Sequence, residues 1–296
     1  MNNEEKSFSK TSINWYPGHM AKTKRLIKDE LNNIDVVYEI IDARIPVSSK
    51  IKGIDDIIKN KIKILIMTKK DLCDLNITNK YVEYYENQGY NVILVDLKNN
   101  LDYRKIINMT NILTKDLQDK RISKGLNKRE IRALVIGIPN VGKSTLINQM
   151  TGKNTAKVEN RAGVTKNLTY LKTNSGITIL DTPGILEPKL EDSNIALNLA
   201  ATGGIKKEVL NIDEICVHIL KILQKRYPEI LKELYNIEGE DILEMYNIIG
   251  KKIGAIKNNE IDYDRVSNKV YNDLVSGIIK GVTFDEWLIK VWKRII

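Results

Sequence analysis

Gly137-Ile138-Pro139-Asn140-Val141-Gly142-Lys143-Ser144 separates two glycines by four residues and closes on Lys-Ser, the full pattern of a phosphate-binding loop. Ile131 to Ile136, just before it, is apolar except at Arg132 and reads as a buried parallel strand; Ser144 to Met150 reads as a helix start. Strand, loop and helix in that order suit phosphate chemistry. The glycines let backbone N–H groups turn toward an anion, and the helix N-terminus adds the positive end of its dipole. Asn140, Val141, Gly142, Lys143, Ser144 and Thr145 are the expected nucleotide contacts, with Lys143 reaching the outer phosphates and Ser144 placed for Mg2+. The competing reading is a glycine-rich turn with no ligand.

Composition narrows the class. Hydrophobic residues are 42% and charged residues 29% of 296, the balance of a globular chain with material for a sizeable core. No apolar run reaches the roughly 18 residues that a membrane helix needs. Glu4 and Glu5 stand where a signal peptide would be apolar and a transit peptide would avoid acids, so a cytoplasmic protein is expected. Cys73 and Cys216 are the two cysteines, far apart and outside any paired motif, so neither a zinc ribbon nor a disulfide framework is expected. Of the net charge of +9, residues 1–205 carry all, with 32 Lys and Arg against 23 Asp and Glu, whereas 206–296 balance at 15 and 15. That excess suits attraction to RNA, but a general Lys, Asn and Ile bias explains it equally well.

Upstream of the loop the chain alternates strands and helices. Residues 11–28, TSINWYPGHMAKTKRLIK, form an aromatic arm with His19 leading into a basic helical pattern. Asp35 to Ile41 reads as a strand that ends in Asp42-Ala43-Arg44-Ile45-Pro46, followed by a short helix within 50–60 and a second buried strand, Ile62 to Met67. At that strand's end lies Thr68-Lys69-Lys70-Asp71, the shape of the guanine-reading Asn/Thr-Lys-x-Asp motif, at the edge where open α/β sheets bind ligands. The Asp71 carboxylate can accept from the guanine N1–H and amine, and the Lys69 stem would lie along the base; an ordinary helix-capping aspartate is the alternative. A helix over Tyr81 to Gln88, a strand over Asn91 to Val95 and helical sequence over 101–122 complete this half.

Downstream, Thr165 lies in a polar stretch that would offer it to Mg2+, and Leu168 to Thr173 pairs with Ile177 to Leu180. The second strand enters Asp181-Thr182-Pro183-Gly184, where Asp181 can reach Mg2+ through water and the Gly184 N–H can sense a γ-phosphate. No guanine motif follows residue 184, and Asn127-Lys128-Arg129-Glu130 precedes a strand rather than ending one. The order therefore reads as a circularly permuted P-loop GTPase domain, α/β with a mainly parallel sheet, over 1–205 with its arm at 1–33. Helical apolar spacing over 206–296 reads as a small all-helical domain. A movement at Gly184 would reach that domain through one short connection, Leu186-Glu187-Pro188.

The motifs Trp15 to Lys22, Asp42 to Pro46, Thr68 to Asp71, Gly137 to Thr145, Asp181 to Gly184 and Ala201 to Lys206 together resemble the bacterial ribosome biogenesis GTPase A family, the YlqF type, over nearly the whole chain. The resemblance implies GTP hydrolysis coupled to late assembly of the large ribosomal subunit, with that subunit's precursor and its rRNA as partners. The helical tail would then bind RNA, through Lys206-Lys207 and Lys251-Lys252 because its net charge is zero; a structural cap for the sheet is the alternative. A GTP-dependent RNA-binding switch with little need for hydrolysis is the rival function. No sequence feature sets the oligomeric state, and a monomer is the expectation.

Hydrolysis needs a group that orients water. Many GTPases place Gln directly after Asp-x-x-Gly, but Ile185 stands there and cannot hydrogen-bond. The resemblance nominates His19, and imidazole can orient water or take its proton near neutral pH. The other histidine, His218, falls in an apolar helical stretch that favours a structural role. Pro-Asn-x-Gly-Lys-Ser loops resemble those of K+-binding GTPases, in which Asn140 would help hold the ion; a loop-capping role is the alternative. Thr68 replaces the common Asn of the guanine motif, which predicts a weaker tie to the phosphate loop. Asp96-Leu97 stands where a Ser-Ala pair is often found, leaving the backbone N–H near Leu97 to serve the guanine oxygen and Asp96 to repel it.

Overall fold

The computed structural model describes residues 13–14, 25, 27–58, 60–99, 101–152, 169–182, 189–190, 192–205 and 211–286. Its centre is β2, Val36–Asp42, buried at every position; its mainly β-branched and aliphatic run, interrupted by Tyr38 and Glu39, suits a strand covered on both faces. Beside it lie β3, Ile62–Thr68, and β5, Ile131–Gly137, both parallel to it. Strand β4, Asn91–Leu94, adds to β3, and β7, Ile177–Asp181, adds to β5, again in parallel. Strand β6, Thr169–Lys172, closes the sheet antiparallel to β7, giving the order β4-β3-β2-β5-β7-β6. A two-residue pair, β1 (Ile13–Asn14) with β8 (Lys189–Leu190), stands apart from it.

Register decides function here. Asp42 pairs with Thr68, Ile40 with Gly137 and Val135 with Asp181, so the chemistry-bearing residues emerge together at the carboxyl edge. The close approach of β2 to β5 explains the first loop glycine: a Cβ at Gly137 would lie 2.6 Å from the Ile40 carbonyl oxygen and 3.0 Å from Val141 Cγ2.

Helices cover the sheet where sequence periodicity predicts them, with four differences. The helix near residue 50 is only Ile54–Ile58, α1; α2 spans Leu75–Asn87, starting earlier than its apolar spacing suggests because Asp74 caps it by accepting from the Asn76 and Ile77 N–H groups. The stretch 101–122 divides at Thr114 into α3, Asp102–Leu113, and α4, Lys115–Ile122. After α5, Lys143–Thr151, the sequence reading contains no helix before residue 206, yet α6 spans Ser193–Ala201, capped by Asp192.

The remaining helices are α7, Ile212–Arg226; α8, Pro228–Tyr235; α9, Ile242–Lys252; and α10, Tyr263–Ser276. They are not the whole of this region. A small hairpin, β9 (Ile256–Lys257) with β10 (Glu260–Ile261), turns at Asn258 and Asn259, both in the left-handed conformation that Asn tolerates. One apolar core joins Ile136 and Ile138 to Leu199 of α6, Ile215 and Ile219 of α7 and Leu274 of α10. Cys73 and Cys216 are both buried and unpaired. Among the described residues no helix is long and apolar enough to cross a membrane.

Gly137→Ala should lower stability by about 1–3 kcal/mol, because backbone rather than a movable side chain blocks the new methyl. Urea unfolding of the two proteins checks it; an unchanged midpoint would show that the strands can separate at no cost.

Candidate functional site

The phosphate-binding loop is shaped by two positive φ angles, 61° at Asn140 and 101° at Gly142, after which α5 begins and Leu146 N–H donates to the Gly142 carbonyl at 3.0 Å. Lys143 lies folded over the loop, its Nζ donating to the carbonyls of Ile138 at 2.6 Å and Gly137 at 3.0 Å. Burial pushes its pKa down to about 8 although Asp181 opposes the shift; burial likewise raises Asp181, opposed by Lys143. Thr182 Oγ1 donates to the Val135 carbonyl at 2.7 Å and fixes the end of β7 beside the loop. Ser144 and Thr145 are half-buried in the first turn of α5. The Ser144 hydroxyl, in the first turn of α5, and the Asp181 carboxylate, at the end of β7, are hard oxygen donors, a set that fits Mg2+.

On the other side of β2, Thr68 ties the guanine motif to this loop. Its Oγ1 reaches the Val141 carbonyl at 2.6 Å and the Ile41 carbonyl at 3.1 Å, and its methyl lies 3.6 Å from where a Gly142 Cβ would stand. The single hydroxyl therefore makes a short contact where the sequence predicts a weaker tie. Lys69 has φ 60°, unusual for a residue with a side chain, and its Nζ lies 2.8 Å from Asp42 Oδ2. Asp71 Oδ2 is paired at 2.9 Å with Lys98, whose side chain is 73% exposed. An exposed pair of this kind contributes about 0–1 kcal/mol, so a ligand donor can replace Lys98 on the carboxylate. Leu97 packs 3.3 Å from the Gly142 Cβ position, and its carbonyl accepts from Gln149 Nε2. Asp96 is turned into its own loop, Oδ1 accepting from the Lys98 N–H at 2.8 Å, which removes one lone-pair direction from any repulsion of guanine.

Several residues at this edge carry no sequence motif. Asn140 Nδ2 donates to the Gly203 carbonyl at 2.6 Å, joining the phosphate loop to the turn after α6. The Leu72 carbonyl, next to Asp71, accepts from the N–H groups of Gly281 at 2.8 Å and Val282 at 3.2 Å. Residues 281–282 of the helical region thus touch the guanine motif and the turn after α6 touches the phosphate loop, so the helical region has contacts beyond the one short connection expected. His218 Nε2 lies 2.8 Å from Asn198 Oδ1 and its ring stacks on Phe284; burial, with Arg226 adding, lowers its pKa to about 4. This partnership is structural, as the sequence reading has it. Asn198 and Leu72 carry no local signal because their partners lie far away in sequence, and Gly203, although within the Ala201 to Lys206 motif, gives no sign there of its bond to Asn140. His19, Thr165, Gly184, Ile185 and Lys206-Lys207 lie outside the described residues.

Residues 132–251 match the family model of the 50S ribosome-binding GTPase. The chain is 42% identical over 276 residues to a ribosome biogenesis GTPase A of Bacillus cereus, covering 92% of this chain and 93% of that one. Its counterpart from Thermotoga maritima is 31% identical over 274 residues, 92% and 94% of the two chains. A GDP-bound YlqF structure aligns with TM-score 0.61 at 29% identity, over 89% of this chain and all of that one. A GNP-bound YlqF from T. maritima gives the same TM-score at 28% identity, over 90% and 98%.

A bound phosphate would favour the Lys143 ammonium and raise its pKa from about 8, so nucleotide binding should take up protons above that pH and weaken as pH rises through it. Calorimetry at about pH 8.5 in buffers of different ionisation enthalpy should read roughly three-quarters of a proton taken up, falling toward zero near pH 7. Equal heats in all buffers at the higher pH would contradict the depressed value. Thr68→Val, which keeps shape and loses the bond to Val141, should weaken GDP binding by about fivefold in a fluorescence titration.

Proposed function

The chain belongs to the ribosome biogenesis GTPase A family and hydrolyses GTP, and from that premise we propose that it binds the large ribosomal subunit or its precursor, promotes late assembly, and hydrolyses GTP to leave it. The observation that carries this reading is the shared register that sets Thr68, the Gly137 loop and Asp181 along one sheet edge. A guanine-reading motif and a phosphate loop then face a single ligand.

The domain is read as circularly permuted. Strand order β4-β3-β2-β5-β7-β6 supports this, because the guanine-motif strand β3 precedes the phosphate-loop strand β5 in the chain while lying two places from it in the sheet. Residues 1–205 form the GTP-binding unit and 206–296 the RNA-binding unit, with Lys251 and Lys252, both exposed at the end of α9, as phosphate contacts. The protein is cytoplasmic and acts as a monomer. Asp71 reads guanine, and Thr68, Lys69 and Leu97 frame the base. Asn140, Val141, Gly142, Lys143, Ser144 and Thr145 hold the phosphates, and Gly184 senses the γ-phosphate. Ser144, Thr165 and Asp181 hold Mg2+, which neutralises developing charge on the phosphates. With its nitrogen committed to Gly203, the group Asn140 offers K+ is its Oδ1. His19 orients the attacking water, and Lys143 stabilises the transferred group.

GTP turnover by the full chain should rise at least about tenfold on adding large subunits, and the chain should co-sediment with them in a nonhydrolysable GTP analogue. No stimulation together with no co-sedimentation would remove the ribosomal reading and leave the GTPase. His19→Ala should still bind subunits but fail to leave them on GTP; unimpaired release would favour a binding switch that hardly uses hydrolysis. Turnover should be faster in K+ than in Na+ buffer, and Asn140→Ala should erase the difference; equal rates for the wild type would sink the K+ assignment.

A further inference from the structure

Lys69 is held in an awkward conformation by a partner that the nucleotide motifs do not include. Its φ of 60° costs about 1 kcal/mol or more for a residue with a Cβ, and such a geometry persists where neighbouring contacts impose it. Beside the backbone bonds of this turn, Lys70 N–H to the Val95 carbonyl and Leu72 N–H to the Lys69 carbonyl, its side chain is held by Asp42 Oδ2, 2.8 Å from Nζ. Asp42 is 1% exposed and is gripped from the other side by Arg44, whose Nη2 lies 2.8 Å from Oδ2 and whose Nε and backbone N–H donate to Oδ1 at 3.1 and 3.0 Å.

Arg44, also 1% exposed, has further donors, and these leave the nucleotide edge. Nη1 donates to the Leu274 carbonyl at 3.3 Å and Nη2 to the Thr202 carbonyl at 3.4 Å. Leu274 is in the last turn of α10 and Thr202 is the C-cap of α6, so one guanidinium serves the carbonyl ends of two helices, where a cation is also favoured by the helix dipoles. The Arg44 carbonyl in turn accepts from the Phe284 N–H at 2.7 Å. The same irregular segment after α10 supplies the Gly281 and Val282 N–H groups to Leu72, one residue beyond Asp71.

We propose that Asp42 and Arg44 are positioning residues of the guanine site: Asp42 fixes the Lys69 ammonium, and Arg44 makes that hold depend on α6 and α10 being docked. Lys69 sets the direction in which the backbone leaves β3 toward Asp71. A partner that shifts α10 away from Arg44 would then loosen guanine recognition. The inference rests on the reading of Thr68 to Asp71 as the guanine-recognition motif.

The test is the ratio of ADP to GDP dissociation constants for the full chain, read beside thermal stability. Asp42→Asn keeps the shape but leaves Lys69 and Arg44 without their shared counter-ion; its preference for GDP should fall about tenfold while ADP binding changes little. Arg44→Lys keeps the charge and loses the fork, and should reduce the preference about threefold. A role confined to folding would lower the melting temperature and leave the ratio untouched, and that result in either folded variant overturns the inference. Hydrogen exchange on the wild type supplies a reading that needs no variant: GDP, and not ADP, should slow exchange of the Val282 and Phe284 amides. Equal protection by both nucleotides, or by neither, overturns the inference. A wild-type chain that binds GDP and ADP alike overturns the guanine reading itself and this inference with it, whereas a selective wild type with selective variants overturns this inference alone.

Discussion

Asp42 is a carboxylate taken almost wholly out of water at the end of the central strand, and it remains charged only because two cations meet it there. Burial alone would raise its pKa, but Arg44 and Lys69 outweigh burial and hold it well below the ordinary carboxylate range. The three groups are mutually necessary. Without the carboxylate, a buried guanidinium and a half-buried ammonium would face each other; without either cation, the carboxylate would lose part of the attraction that offsets its desolvation. Because Asp42 pairs in register with Thr68, this cluster also fixes where the guanine motif leaves the sheet.

The second buried charge group at the same edge is built in the opposite way. Among the described residues Lys143 has two carbonyls as direct partners and the field of Asp181 to offset its burial, so its pKa falls while that of Asp181 rises. Both shifts mark charged forms that their surroundings do not fully compensate. A phosphate beside Lys143 and a divalent cation beside Asp181 would supply the missing opposite charges. Asp42 is closed by its own chain, whereas Lys143 and Asp181 gain most from something added. That contrast separates a cluster that holds the site in shape from one that receives a ligand.

The sheet was legible because its strands are covered on both faces. Val36–Asp42, Ile62–Thr68 and Ile131–Gly137 are near-continuous apolar runs, and composition alone marks such strands to within a residue or two. The phosphate loop and guanine motif were legible for a related reason: each is contiguous and sits at a strand end. Helix α6 was not, since its small apolar residues, Ala196, Leu199, Ala200 and Ala201, are buried on more than one side and break the one-faced period. The side-chain roles were the least legible. Arg44 lies 158 residues from Thr202 and 230 from Leu274, and Asn140 lies 63 from Gly203. Asp-Ala-Arg at the end of a strand next to the guanine-motif strand was visible as a pattern, but nothing local announced which carbonyls the arginine would reach.

Those long-range bonds alter how a change at the nucleotide would travel. A single tether transmits only what its own hinge allows, while several rigid contacts make two parts move together or not at all. Here Asp285 accepts from the Val47 and Ser48 N–H groups at 2.7 and 2.9 Å and from Asn198 Nδ2 at 2.9 Å, and Asn198 continues to His218 on α7. With Arg44 on α6 and α10, Leu72 on residues 281–282 and Asn140 on Gly203, α6 with its following turn and the helices after it together grip the loop after β2, the guanine motif and the phosphate loop. Since His218 is kept neutral by burial, acidity near neutral pH leaves that chain intact. Among the described residues α2 adds a further attachment, Thr78 to Thr283 at 3.0 Å and Tyr81 to the Asp285 carbonyl at 2.7 Å, so the nucleotide site holds the helical region through some of its contacts while others hold it independently.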